Sequence, residues 1–411
     1  MTPTRRQVLA GAAALGAAAA FTACSDEPPA GGSPPRPPGA GTHLRSGTLY
    51  ARIGDTLTAV SLADGRTRAS FPGAVPDPGR QRLHWRDGSG HLRITETATG
   101  RDLHRLTAPA GEIRAAAAGL PLVALGPAGT RRARTRIALV SPQGTRGLTL
   151  PGAVEPEAFS DDGTTLYVLD HLDDGYRVRM VDLAAGEMTP LLTRDKTPVP
   201  AEERMRGRYR QSALSPDRTV LYSLYTHQAD HLHTRDLVAA RDSAPGVHAF
   251  VHVLNLRERW AYCLDLPEEM GRGEASGHCL ALSADGLSLY VFDSGSGTVA
   301  AADTAQLTIT TVRRVKTPPD PSYAVVVGDE LCLAAGDRMH RLARARLTPA
   351  AGWTLPGPAA GVALRGHELL VGVPGRVLLT SVADGRRNGV LAVPGLREVL
   401  YAVPAGWSRP G

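Results

Sequence analysis

The residues with the most chemistry in their spacing are three histidines, His227, His231 and His233, in an H-x3-H-x-H pattern with Asp230 and Asp236 beside them. His248 and His252 follow, so five of the chain's 13 histidines fall within one short stretch. Imidazoles at this spacing could hold a zinc, copper or nickel ion if the backbone turns their nitrogens inward. In the bland alternative His248 and His252 alternate into strand surfaces, and the others hydrogen-bond loop backbone. No HExxH, CxxC or paired-cysteine zinc spacing supports a metal enzyme.

Other chemistry is sparsely represented. There is no Gly-x-Ser-x-Gly elbow, and no Gly-rich loop leads from a strand into a helix to cradle phosphate. Arg131, Arg132, Arg134 and Arg136 form a basic run that could meet acidic groups on a partner, or could simply guard an exposed strand edge. Besides Cys24 the cysteines are Cys263, Cys279 and Cys332, an odd number for an exported chain. A Cys263 to Cys279 bridge would close a loop across Pro267 to Gly277, but an outer strand and the next inner strand are poorly placed for it. Free buried thiols are therefore expected. The net charge is +6, and two fewer cations remain once Arg5 and Arg6 leave with a leader. That excess is too small and too spread out for a nucleic-acid footprint, so no nucleic-acid partner is expected.

The first 23 residues read as a targeting segment, with Arg5 and Arg6 ahead of a weakly hydrophobic Ala/Gly-rich run too short to span a bilayer. Thr4-Arg5-Arg6-Gln7-Val8-Leu9 resembles a twin-arginine export signal. Phe21-Thr22-Ala23-Cys24 resembles a bacterial lipobox, with Phe21 departing from the usual leucine. The resemblance implies that Cys24 is lipidated and becomes the N-terminus. Residues 24–41 would then be the lipidated cysteine and a disordered tether, because Ser25 to Gly41 carries six prolines and no apolar periodicity. At roughly 3 Å per residue this tether reaches about 50 Å.

The elements that must position everything else begin at Thr42. With 45 glycines, 32 prolines and no sustained amphipathic helix after the leader, an all-β chain with many turns is expected. Cys279 to Asp303 shows the unit: three short β-prone runs separated by Ala-Asp-Gly and Ser-Gly-Ser-Gly turns, then an alternating outer run from Leu307 to Val315. Eight such hairpins can be counted, at Gly47–Leu62, Arg82–Glu96, Leu122–Val140, Thr165–Leu183, Val220–Leu256, Ser288–Asp303, Glu330–Leu342 and Glu368–Val382. Four strands per unit make one propeller blade. The Leu83 unit is thin, so the expectation is seven or eight blades in a single domain over residues 42–411, and the count favours eight. Arg397 to Val403 has no hairpin after it and Gly47 no strand before it, so the two ends should share one blade and close the ring.

Phe159-Ser160-Asp161-Asp162-Gly163, Leu214-Ser215-Pro216-Asp217-Arg218 and Leu282-Ser283-Ala284-Asp285-Gly286 repeat one lead-in. These S-x-D-G-x-x-L-Y-V units resemble the YncE-like and YVTN-type, WD40-like β-propellers, and with the leader they resemble lipoproteins of actinobacterial type. The likeness is clear from Glu155 to Val315. Together the tether, the blade repeats and the absence of a catalytic constellation point to a monomeric binding or scaffold protein on the outer face of the cell membrane, held by Cys24, with a protein or envelope-polymer partner on one propeller face. The long Thr226 to Ala249 insertion would form part of that face. Two rivals remain: metal binding by His227, His231 and His233, and a propeller enzyme of lyase, hydrolase or quinone-dependent dehydrogenase type using the central funnel. Candidate inner-strand residues such as Ala281-Leu282 and Ala324-Val325-Val326 are bland, which counts against catalysis.

Overall fold

The computed structural model describes residues 46–127, 133–229 and 246–404. Its 32 strands form eight four-stranded antiparallel sheets, and a single 3₁₀ turn, Ala275–Gly277, is the only helical element among the described residues. Seven sheets take their strands in sequence order. The remaining one, blade 1, combines Thr48–Ile53, Thr56–Ser61 and Thr67–Phe71 with the last strand, Leu396–Val403. The chain therefore closes its own ring, and the thin unit is a true blade 2, with an inner strand of only two residues, Val75–Pro76.

The core lies between blades, because both faces of each sheet are covered. In the strand Ser288–Asp293 of blade 6, Leu289 and Val291 pack toward blade 5, whereas Tyr290 and Phe292 pack toward blade 7. Period-two alternation thus feeds two separate clusters, and a strand buried on both faces reads as an unbroken apolar run. Eight such clusters, one per blade junction, run around the ring. The outer strands face water: in Thr308–Arg314 only Ile309 and Thr311 are half-buried and the other residues are exposed.

The repeated lead-in is a turn device. The Ser283 hydroxyl donates to the Asp285 carboxylate and accepts from the Ser288 amide at 2.9 Å, while Asp285 accepts the Leu287 amide at 3.0 Å. Gly286 takes φ +74°, and a Cβ there would meet Pro216 at 2.9 Å. Ser160 and Ser215 make the same bonds. These serines are occupied architecturally.

The packing also buries histidines. His252, in Ala249–Asn255, is 3% exposed between Ser223 and Cys263, and burial pushes its imidazole down to about 4. The unfolded histidine titrates near 6.5, so folded and unfolded chains bind protons equally above that pH, and stability is lost as pH falls through the window from 6.5 toward 4. By pH 5 the loss from this one group is about 2 kcal/mol. Denaturant unfolding at pH 7.5 and pH 5 should show His252→Gln losing about that much less stability than the parent chain. An equal loss in both would mean that His252 is not held neutral.

Candidate functional site

Blade 2 is where the ring departs from its repeat, and the departure begins with two prolines. Pro76 has no amide to donate and Pro78 follows two residues later, so the inner strand stops after Val75–Pro76. The chain then coils into a tight loop: the Asp77 carboxylate accepts the amides of Gln81 at 2.7 Å and Arg82 at 3.2 Å, and the Arg80 amide donates to the Asp77 carbonyl at 2.9 Å. Arg80 closes the loop at φ 55°, a conformation few non-glycine residues adopt, which marks the position as one held by its surroundings.

Those surroundings are aromatic. The Arg80 guanidinium lies over the Tyr401 ring, 5.4 Å from its centroid, and Tyr401 stacks on Tyr50 at 4.7 Å. The Tyr50 hydroxyl donates to the Thr97 carbonyl at 2.8 Å, and the Thr97 hydroxyl donates to the Arg80 carbonyl at 2.7 Å. Phe71 and Trp85 extend the stack outward. Tyr401 of the last strand is thus held between Arg80 and Tyr50, and a chain of two hydrogen bonds through Thr97 links those two residues.

The shortened strand leaves space on both sides. A small cavity of about 100 Å³ lies toward blades 3 to 6, with Asp77, Arg114, Glu157, Ser212 and Ser215 in its wall. A larger one, about 480 Å³, lies toward blades 1, 7 and 8, walled by Arg82, Glu96, Thr97, Leu103, Val325, Leu364 and Leu400 to Pro404. Gly79, Arg80 and Gln81 border both. In an antiparallel meander the loops after the first and third strands of every blade share one face, and the loops after the second strand share the other. Both cavities meet the first face, whereas residues 227–248 leave and re-enter on the second.

Charged side chains also stand on the inner strands, beside bland residues such as Val325 and Ala363. Glu398 stands on the closing strand with its carboxylate 3.9 Å from Arg52, and burial pushes it up to about 7 against the opposing pull of Arg210, Arg52 and Arg80. Arg210 donates to the His278 carbonyl at 2.7 Å. Tyr323, raised by burial, also feels the Glu398 charge. Glu398 and Tyr323 stand next to apolar residues, Val399 and Ala324, that pack into blade junctions, so their direction could be read only once the register was known.

Of the residues singled out in the sequence, Arg5, Arg6, Cys24, His231 and His233 lie outside the described residues, as do Asp230 and Asp236. His227 sits at the root of the insertion with φ 61°; its amide donates to the Gly271 carbonyl at 3.0 Å and its Nδ1 lies 2.9 Å from the Thr226 hydroxyl. Burial, with Arg208 and His278 adding, lowers its pKa. His248 Nδ1 lies 3.2 Å from the Gln228 carbonyl. Among the described residues no three His, Cys, Asp or Glu side chains converge as a metal site would require. Cys263, Cys279 and Cys332 are buried and form no disulfide among the described residues. His278, which spacing did not single out, is fully buried and accepts the Gly271 amide at 3.0 Å, bracing the floor beneath the insertion.

The fold defines an eight-bladed β-propeller with a cavity on one face and, on the other, the two ends of the connection between Thr226 and Ala249. No family model matches the sequence, and no curated protein matches it. Among solved structures it is similar to apo AztD from Citrobacter koseri, with TM-score 0.55 and 11% identity over 88% of this chain and 99% of that one. It is also similar to a dihydro-heme d1 dehydrogenase, NirN, in complex with DHE, with TM-score 0.52 and 12% identity over 91% of this chain and 78% of that one. At such identities the likeness is one of fold.

Proposed function

We propose that the protein is an exported, membrane-tethered propeller that binds a ligand or partner in the cell envelope without chemistry of its own. The observation that carries the reading is the 480 Å³ cavity, a size typical of small-molecule sites, whose wall mixes aliphatic side chains with polar and charged residues such as Gln81, Arg82 and Glu96. The opposite face supports it independently, because the long connection between Thr226 and Ala249 starts and ends at a braced root on a rigid ring, where recognition loops are commonly carried. The leader and Cys24 favour an anchored, extracytoplasmic location, and the proline-rich tether would let the ring stand off the bilayer.

Cross-linking in the envelope tests this reading, comparing the parent chain with one in which residues 227–248 are replaced by an Asn-Gly turn. Loss of the captured partner is the expected result. Retention of every captured partner would overturn the insertion's role. Elemental mass spectrometry of the parent and of a His231→Ala, His233→Ala variant tests the metal reading in parallel, and stoichiometric metal lost in the variant would replace the binding reading by one centred on His227, His231 and His233. Catalysis at the axis has one observation in its favour, the Glu398 carboxyl held near neutrality beside arginines.

A further inference from the structure

We infer that His278 is a pH-operated latch on the connection between Thr226 and Ala249: uncharged, it holds the root of that connection through Gly271, and protonated, it turns to Asp293 and lets the root go. The inference concerns how the binding reading is regulated, and its value to the protein rests on that reading.

One ring nitrogen has two claimants. His278 is fully buried, and its Nε2 accepts the Gly271 amide at 3.0 Å, so the neutral ring carries its proton on Nδ1, 3.0 Å from the Glu274 carbonyl. The Asp293 carboxylate, 1% exposed, stands 3.4 Å from the same Nε2. A proton on Nε2 would meet the Gly271 N–H head-on, whereas toward Asp293 it would make a charge-assisted bond. The nitrogen can serve one partner or the other.

Gly271 carries the consequence to the root. Its carbonyl accepts the His227 amide at 3.0 Å where the chain leaves blade 5, and a Cβ added to it would come within 2.3 Å of the His248 carbonyl oxygen at the returning end. Both described ends of the connection therefore rest on one residue, and His278 holds that residue from beneath.

The charges around the ring favour a switch. Burial pushes the Asp293 carboxyl up, but His278, the Ser296 hydroxyl and the Gly295 amide together hold it below its ordinary range, so it is ionised and ready to face a cation. From blade 5 Arg210 donates to the His278 carbonyl at 2.7 Å, and His227, Arg208 and Glu274 share the same corner. Blade 7 brings the neutral Ser322 hydroxyl to the Gly277 carbonyl. The arginines oppose a charge on the ring, whereas Asp293 favours it at contact distance. Histidine is the side chain whose charge ordinarily changes between pH 5 and 8.

Hydrogen exchange of the full chain at pH 8 and pH 5, with each rate corrected for the intrinsic effect of pH, tests the latch. The Gly271 and His227 amides should lose protection about tenfold or more at pH 5, while the ladder of Thr298–Asp303 keeps its own. Asp293→Asn removes the charge of the second claimant and should leave both amides protected at pH 5. His278→Gln, which sets an uncharged acceptor near the place of Nε2, should do the same, with thermal unfolding to check that the ring is intact; if the glutamine variant does not fold, Asp293→Asn decides. Unchanged protection in the parent, a loss that Asp293→Asn repeats in full, or a loss shared by Thr298–Asp303 would overturn the latch. Envelope cross-linking at the two pH values is read separately. Capture of a partner at neither pH, with the amides behaving as expected, would sink the binding reading and leave the latch standing; protection unmoved by pH, with capture retained, would do the reverse.

Discussion

Deleting residues 396–411 is expected to leave a chain with no cooperative unfolding transition. The closing strand Leu396–Val403 pairs with Thr48–Ile53 along its length and buries Leu396, Val399, Leu400 and Tyr401 in the junctions on both sides of blade 1. At about 1.5–3 kcal/mol for each large apolar side chain, these four contribute an amount comparable to the whole stability of an ordinary domain, about 5–15 kcal/mol. The deletion also strips the ladder from Thr48–Ile53 and removes the ring on which Tyr50 and Arg80 rest, so buried backbone groups lose their partners. Tryptophan fluorescence in a denaturant titration should show one sharp transition for the parent and none for the deletion. A sharp transition in the truncated chain would mean that the ring does not depend on closure. Gly361→Ala probes the same seam with one atom. Gly361 has φ +92°, its new Cβ would lie 2.2 Å from the Val399 carbonyl oxygen, and the Val399 amide donates to Ala360 at 2.8 Å. Strain and overpacking together should cost about 3 kcal/mol.

Much of this architecture is legible in the sequence because blade hairpins are local. Each central pair is joined by a short turn, and turn chemistry such as Ser283-Ala284-Asp285-Gly286 states its own hydrogen bonds. Even the closure could be anticipated, since Arg397 to Val403 is a strand without a partner and Gly47 opens a blade without an inner strand. The site was far less visible, and for a physical reason. Its Arg80 is displayed by a loop that exists because Pro76 and Pro78 end a strand early, so the feature that made the Leu83 unit look thin is the feature that opens the cavities. Glu398 and Arg210 sit in strands whose neighbours are apolar, and which residue faces the axis is decided by bulges, such as the register shift between Tyr209 and Gln211, that no local pattern announces. The histidine insertion was conspicuous by composition. At its root His227 and His248 bond to local groups, as the bland alternative expected of His227, whereas His248 sits just ahead of the strand and not on its surface.

Replacing Glu398 by glutamine should make the protein more stable at pH 8 and leave it unchanged at pH 4.5. In the unfolded chain this carboxyl titrates near 4.5, whereas in the ring burial outweighs the pull of Arg210, Arg52 and Arg80 and holds it at about 7. The sign follows from proton counting. Between those values the folded chain keeps a proton that the unfolded chain has released, so stability falls as pH rises through the window, by about 1.4 kcal/mol per pH unit. Above pH 7 the accumulated penalty is about 3 kcal/mol, and glutamine does not incur it. The buried His252 shifts stability only on the acid side and is common to both chains, so it cancels in the difference. Denaturant unfolding of parent and Glu398→Gln at pH 4.5, 6 and 8 should therefore give curves that diverge with rising pH. A variant less stable than the parent at pH 8 would show instead that the Arg52 and Arg210 contacts repay the burial, and that Glu398 is a structural ion-pair member. If the divergence is found, the chain carries an axial carboxylate at a standing cost to its own stability.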